Sequence, residues 1–88
     1  MKTVWKYKIP TDDVFVLDLP IGAKPLSVQV QNDDPILWCL VDDRQMVNEK
    51  RRFRLAGTGH SISENNLAFI GTFQLFGGSF VGHLFEII

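Results

Sequence analysis

Apolar and polar residues alternate with a period of two along most of the chain, as they do in half-buried β-strands. The run LSVQVQ, residues 26–31, predicts an inner face made by Leu26, Val28 and Val30. The runs TVWKYKIP, VFVLDLP and RRFRLAG alternate in the same way and end at proline or glycine. The second run places Phe15, Leu17 and Leu19 together, and the third places Phe53 and Leu55 opposite the arginines. No stretch keeps a helical period over about ten residues. The pattern therefore predicts an all-β protein.

The run ILWCLV, residues 36–41, departs from this alternation because it is apolar on both faces. Such a run is typical of a central strand, or of a strand whose outer side is covered by a partner subunit. If Leu37, Cys39 and Val41 face the core, every second residue belongs to an outer apolar stripe. The members of that predicted stripe are Ile36, Trp38 and Leu40.

The connections complete the predicted architecture. Residues 42–50, DDRQMVNEK, are polar and predict a loop, whereas residues 60–69 favour one short helical turn with a serine cap and Glu64 in its first turn. The last third of the chain predicts a hairpin that turns at Gly77-Gly78. We therefore expect a single domain, residues 1–88, folded as a small antiparallel barrel or sandwich of about six or seven strands.

Composition adds an expectation about assembly. Seven Phe, two Trp and a hydrophobic fraction of 45% in 88 residues are more apolar surface than a small core easily covers, which favours a homo-oligomer. The net charge of −1 does not favour nonspecific nucleic-acid binding. No apolar run approaches the ~20 residues of a membrane span, and no apolar leader follows Met1. A cytoplasmic protein without membrane association is the expectation.

The stretch RRFRLAGTGH, residues 51–60, is the best candidate site. Arg52 and Arg54 should share one strand face about 7 Å apart, a spacing that suits phosphate groups, and the glycines expose backbone N–H donors. A stacking ring would come from the outer stripe. The predicted ligand-binding residues are Arg52, Arg54, Gly57, Thr58, Gly59, His60 and Trp38. The alternative is a solvated basic strand that ends in a glycine turn.

Other kinds of site find little support. Two histidines, His60 and His83, and the apolar-looking Cys39 do not supply the ligands of a structural zinc site, and His83 is expected to be a hydrogen-bonded histidine on a strand face. No serine or cysteine lies in a nucleophile elbow, and the paired aspartates lie in turn sequences. We predict no catalytic residues, no metal and no cofactor, and thus no enzyme.

Four motifs together resemble a family of short proteins that bacteriophages and prophages encode. They are the opening WKYKIP, the run LWCLVD, the stretch RRFRLAGTGH and the closing GTFQLFGGSFVGHLFE, so the resemblance spans nearly the whole chain. That family is labelled a domain of unknown function. The resemblance implies a viral accessory protein that acts in the bacterial cytoplasm, and it implies no chemistry.

Two functions follow as expectations. The first is a non-enzymatic phage protein whose homo-oligomer binds an anionic small ligand such as a nucleotide, by analogy with small phage proteins of other families that sequester host immune signals. The second is a protein-interaction module that inhibits or redirects a bacterial host protein, through the Ile36–Leu40 stripe or a sheet edge. A virion or assembly component is a third possibility.

Overall fold

Strands account for most of the chain in the computed structural model, which describes residues 1–88. The seven strands are β1 (Lys2–Lys8), β2 (Val14–Pro20), β3 (Lys24–Gln31), β4 (Asp34–Asp42), β5 (Asn48–Gly57), β6 (Leu67–Leu75) and β7 (Phe80–Ile87). The one helical element is a 3₁₀ turn, Phe76–Gly78, between β6 and β7. No helix has the length and apolarity needed to cross a bilayer. The all-β prediction is confirmed.

The strands form two antiparallel sheets. One has three strands in the order β1-β4-β3, and the other has four in the order β2-β5-β7-β6. The two sheets come closest where β3 meets β6, because Gly71 has no side chain: a Cβ there would lie 3.0 Å from Cγ1 of Val28. The arrangement is a sandwich, as predicted, and β4 is the central strand of its sheet.

Alternation along each strand places one set of side chains between the sheets. The rings of Phe15 on β2 and Phe53 on β5 stack in that space with centroids 5.4 Å apart. The largest fully buried side chains are Phe53, Leu19, Leu37, Leu84 and Cys39. The predicted inward faces of β2, β4 and β5 are therefore confirmed, and so is the assignment of Cys39 to the core.

The predicted inner face of β3 is partly wrong. A register shift between Pro25 and Ser27 inserts Leu26 as an extra residue, so Leu26 loses its place in the alternation and is exposed. Val30 is also exposed near the end of the strand, and Val28 alone of the three predicted residues is buried. A bulge of this kind leaves no mark in the polarity pattern, because it adds one residue without a turn residue.

Two predicted connections also differ from the structure. The loop before β5 is shorter than predicted, because β5 already begins at Asn48 and pairs there with Pro20. The predicted helical turn within residues 60–69 is wrong: residues 60–66 contain no helix, and β6 begins at Leu67. Glu64 bonds to an arginine of β5 instead of joining a helical first turn. The hairpin turn at Gly77-Gly78 is confirmed.

Candidate functional site

Strand β5 places its arginines on two different faces. Phe53 and Leu55 point into the core, and the residues that alternate with them, Arg52 and Arg54, lie on the outer face of the four-stranded sheet as predicted. Arg51 has the same parity as Phe53 and therefore lies toward the sandwich interior. Arg51 therefore has a different environment from Arg52 and Arg54.

The guanidinium nitrogens of Arg54 all donate hydrogen bonds within the chain. Its Nε donates to Glu64 Oε1 at 3.1 Å, its Nη1 to the carbonyls of Leu55 at 2.7 Å and Asp13 at 3.2 Å, and its Nη2 to the carbonyl of Ser61 at 2.9 Å. The β5–β6 loop, residues 58–66, thereby covers the guanidinium, whose side chain is only 11% exposed. Arg54 fastens this loop to the sheet and has little capacity left for a ligand.

The same contact affects the ionisation of Glu64. Its pKa is lowered, first because its own backbone N–H bonds to the carboxylate and then because Arg54 donates to it and lies close by. The carboxylate is therefore charged throughout the neutral range. Glu64, which was predicted in the first turn of a helix, is in fact the anionic partner of the buried arginine.

Arg52 has no such partner. It is exposed, and no hydrogen bond or ion pair of a side chain involves it. Its register neighbours are Val16 on β2 and Ile87 on β7. The guanidinium is therefore an unpaired cation with apolar neighbours in its own row, and the Asp18–Lys50 ion pair lies in the next row of the same face.

The surface around this cation extends across all four strands, except where the β5–β6 loop covers Arg54. Two rows of residues that pair across the strands form it, one through Arg52 and the other through Arg54. Both rows lie on the outer side of the sheet, as the two arginines do. Phe69 is 63% exposed and its ring meets that of Phe85 edge-on at 5.5 Å, while Val14 and Val16 are about half exposed. We call this surface the Arg52 face, and it consists of Val14, Val16, Arg52, Leu67, Phe69, Phe85 and Ile87.

The Gly57–His60 segment is a turn whose polar groups bond internally. The N–H of Thr58 donates to the Val81 carbonyl at 3.3 Å, and that of His60 to the Gly57 carbonyl at 3.0 Å. Gly59 has a φ of 85°, which favours glycine, and the imidazole of His60 lies over Gly57. Thr58 is also six residues beyond Arg52, about 20 Å along an extended chain. The turn and Arg52 are thus too far apart to bind one phosphate.

His83 is held between two threonine hydroxyls. Oγ1 of Thr58 lies 2.7 Å from its Nε2, and Oγ1 of Thr72 lies 2.9 Å from its Nδ1. The prediction of a hydrogen-bonded histidine on a strand face is confirmed. Neither hydroxyl is paired with a carboxylate, so the group has the features of a link between β5, β6 and β7 and lacks those of a catalytic triad.

Trp38 lies on the opposite side of the sandwich. It is on β4 of the three-stranded sheet, where Leu37 and Cys39 face the core and Trp38 faces outward. It borders a shallow cavity of ≈ 540 Å³ along the edge strand, with Val4, Trp5, Lys6 and Tyr7. Of the predicted stripe, Ile36 is buried and the other two members are half-buried. One chain therefore does not bring Trp38 together with the arginines.

Sequence reasoning missed the charged pair in the interior. Arg51 forms a two-pronged ion pair with Glu86, its Nη2 donating to Oε1 at 2.9 Å and its Nε to Oε2. Its Nη1 also donates to the Ala23 carbonyl at 2.9 Å and to Glu49 at 3.3 Å. These bonds raise the pKa of Arg51, that with Glu86 most of all. Strand parity could have revealed this pair, because it places Arg51 and Glu86 with inward-facing neighbours.

The candidate nucleophile and ligand groups are equally constrained. Burial raises the pKa of the Cys39 thiol to about 11, so almost none of it is thiolate at neutral pH. No three His, Cys, Asp or Glu side chains come together as a metal site would need. Of the two predicted arginines, Arg52 is therefore the one that makes no bond within the chain.

Comparison with known proteins identifies the family. The chain belongs to the family described as "Domain of unknown function (DUF7352)", whose model matches residues 1–88. No curated protein and no solved structure matched the chain.

Proposed function

We propose that this member of the DUF7352 family is a non-enzymatic protein-interaction module that binds its partner through the Arg52 face. The observation that carries the proposal is an unpaired guanidinium whose neighbours across the sheet are exposed or half-buried apolar side chains. A solvent-facing strand without a partner would carry polar side chains at most of these positions.

The partner's chemistry follows from this surface. Burial of Val16, Phe69 and their neighbours would supply the apolar contribution, and arginine and aromatic residues are the types that contribute most at protein interfaces. Arg52 would lose water in the complex, so the partner must supply a carboxylate to pair with it. We therefore expect an apolar partner surface with a central aspartate or glutamate.

The cellular setting belongs to the same proposal. The resemblance to phage-encoded proteins makes a bacterial host protein the expected partner, and inhibition or redirection of that protein in the cytoplasm the expected outcome. The proposed surface is neither the outer stripe nor a sheet edge, the two surfaces that were predicted. The stripe offers less apolar surface than expected, because Ile36 is buried and Trp38 and Leu40 are half-buried.

Affinity capture from a bacterial lysate tests this function. The protein, Arg52→Glu and the matched charge reversal Lys24→Glu would be immobilised in equal amounts, since Lys24 is an exposed lysine on the other sheet. We expect one host protein to be retained by the parent protein and by Lys24→Glu but lost with Arg52→Glu, because a carboxylate there would repel the partner's acid. Thermal unfolding checks that both variants are folded.

Retention of the same proteins by all three chains would exclude the Arg52 face as the binding surface. Arg52→Lys is a further comparison: it keeps the charge and loses the two-pronged geometry, so binding should weaken without disappearing.

A second candidate function is the binding of a phosphorylated small molecule, because Arg52 has no partner in its own chain and a guanidinium group binds phosphate through two parallel hydrogen bonds. A ligand at a hundred times its dissociation constant should stabilise the fold by about 2.7 kcal/mol. A thermal-shift screen of mono-, di- and cyclic nucleotides, repeated with Arg52→Ala, measures this directly. A stabilisation that requires Arg52 would favour this function, and no stabilisation with any nucleotide would count against it.

A further inference from the structure

Phe76 combines two unfavourable features at the tip of the β6–β7 hairpin. Its φ of 54° lies in the left-handed region, which disfavours residues with a side chain, and its ring is 78% exposed. Gly77 and Gly78 continue the turn with φ values of 66° and 94°. The conformation is held by Ser79, whose N–H and Oγ both donate to the Phe76 carbonyl, at 3.2 Å and 2.9 Å. The turn thus displays an aromatic ring where glycine would be the easier residue.

A cavity lies directly beside this ring. It has a volume of ≈ 260 Å³ and is lined by Thr11, Leu75, Phe76 and Phe80, with no charged residue among them. Leu75 belongs to the core and Phe80 packs against it, so the recess reaches the end of the sandwich interior. A cavity of about 150 Å³ already accommodates benzene. The recess is therefore large enough for a phenyl ring, and the exposed ring of Phe76 does not fill it.

We propose that the hairpin tip is a contact between two copies of this chain, in which the Phe76 ring of each copy enters the recess of the other. A ring and an apolar recess side by side are self-complementary under a twofold axis, which is the commonest symmetry of homodimers. Because Phe76 also lines the recess, the two Phe76 rings would stack against each other. The uncharged lining means that no like charges are buried when two copies meet.

The size of the contact sets the strength of the dimer. Stable complexes bury about 800 Å² on each partner, and a hairpin tip with one recess provides less. The dimer is therefore weak and forms in proportion to protein concentration. Phe80 is seven residues from Ile87 along β7, more than about 20 Å, so the dimer leaves both Arg52 faces free. Its existence does not depend on the proposed binding through that face.

Sedimentation equilibrium over a range of concentrations tests the contact. Phe76→Asn removes the ring and keeps the turn, because asparagine tolerates a positive φ. We expect its dimer dissociation constant to rise about thirtyfold or more, as for loss of a central aromatic contact, with an unchanged or higher Tm. The matched control is Phe69→Asn, an equally large and exposed phenylalanine on the Arg52 face, which should leave the dissociation constant unchanged.

Mixing two variants tests the exchange itself. Thr11→Trp fills the recess and keeps the Phe76 ring, whereas Phe76→Asn lacks the ring and keeps the recess walls formed by Thr11, Leu75 and Phe80. Each variant alone should associate more weakly than the parent protein, and their mixture should associate more tightly than either variant alone, because one ring-in-recess contact is intact in the mixed dimer. A parent protein that stays monomeric at millimolar concentration overturns the proposal. So does dissociation by Phe69→Asn with no effect of Phe76→Asn, which would assign self-association to the Arg52 face. A mixture that associates no more tightly than either variant alone also overturns it.

Discussion

Replacing Arg54 by methionine is expected to lower the free energy of unfolding by about 3 kcal/mol. The substitution keeps much of the side-chain volume but removes every donor of the guanidinium. Glu64 and the carbonyls of Ser61, Leu55 and Asp13 then lose a partner in a place with little access to water. Urea unfolding followed by tryptophan fluorescence measures the loss.

Arg52→Met is the matched control, since it makes the same substitution two residues away on the same face of the same strand. Arg52 has no bond to lose, so the free energy of unfolding should change by no more than about 0.5 kcal/mol. Equal losses in the two variants would contradict the distinction between a structural and a free arginine. Hydrogen exchange should also show faster exchange in residues 58–66 of Arg54→Met, because Arg54 fastens that loop.

Replacing Glu86 by leucine is expected to cost still more, about 3–5 kcal/mol. It removes the carboxylate that receives two bonds from Arg51, and the guanidinium stays between the sheets with Glu49 and the Ala23 carbonyl as its remaining partners. Glu49 is the weaker replacement because it is 41% exposed. Chemical denaturation again provides the measurement.

The double variant Arg51→Met/Glu86→Leu separates two explanations of that loss. If the cost arises from an unpaired charge, removal of the charge should recover most of the stability, because apolar residues can replace a buried ion pair with little penalty. A double variant as unstable as Glu86→Leu alone would show instead that the loss comes from packing. The cycle therefore measures the coupling between the two side chains directly.

The faces of the strands were predictable because parity along an extended chain is a local property. It placed Phe53 and Leu55 inward and Arg52 and Arg54 outward, and the structure agrees. Parity failed at Leu26, where a bulge adds a residue without changing the composition of the strand. It also failed to predict the role of Glu64, because a serine-rich segment with one glutamate suits a helix start as well as a loop that crosses a sheet.

The candidate site was predictable only in part. The local sequence presented Arg52 and Arg54 as equivalent, since they have the same residue type and the same parity. They differ because the β5–β6 loop covers the outer face of the sheet at Arg54 but does not reach Arg52. The path of that loop is set by tertiary contacts, which the polarity pattern of β5 does not contain. The prediction that Trp38 and the arginines share one site is wrong for a single chain, because β4 and β5 belong to different sheets. A polarity pattern does not show which sheet a strand joins.

Periodicity, turn residues and composition were thus sufficient for the fold class, the burial of Cys39 and the closing hairpin, and they gave a central position as one of two alternatives for β4. These features depend on interactions between residues close in the chain and on the need to bury apolar surface. The environment of each arginine required the folded chain, because a guanidinium is defined by the acceptors around it. Long-range packing brings Glu64 to Arg54 and Glu86 to Arg51. It brings no acceptor to Arg52.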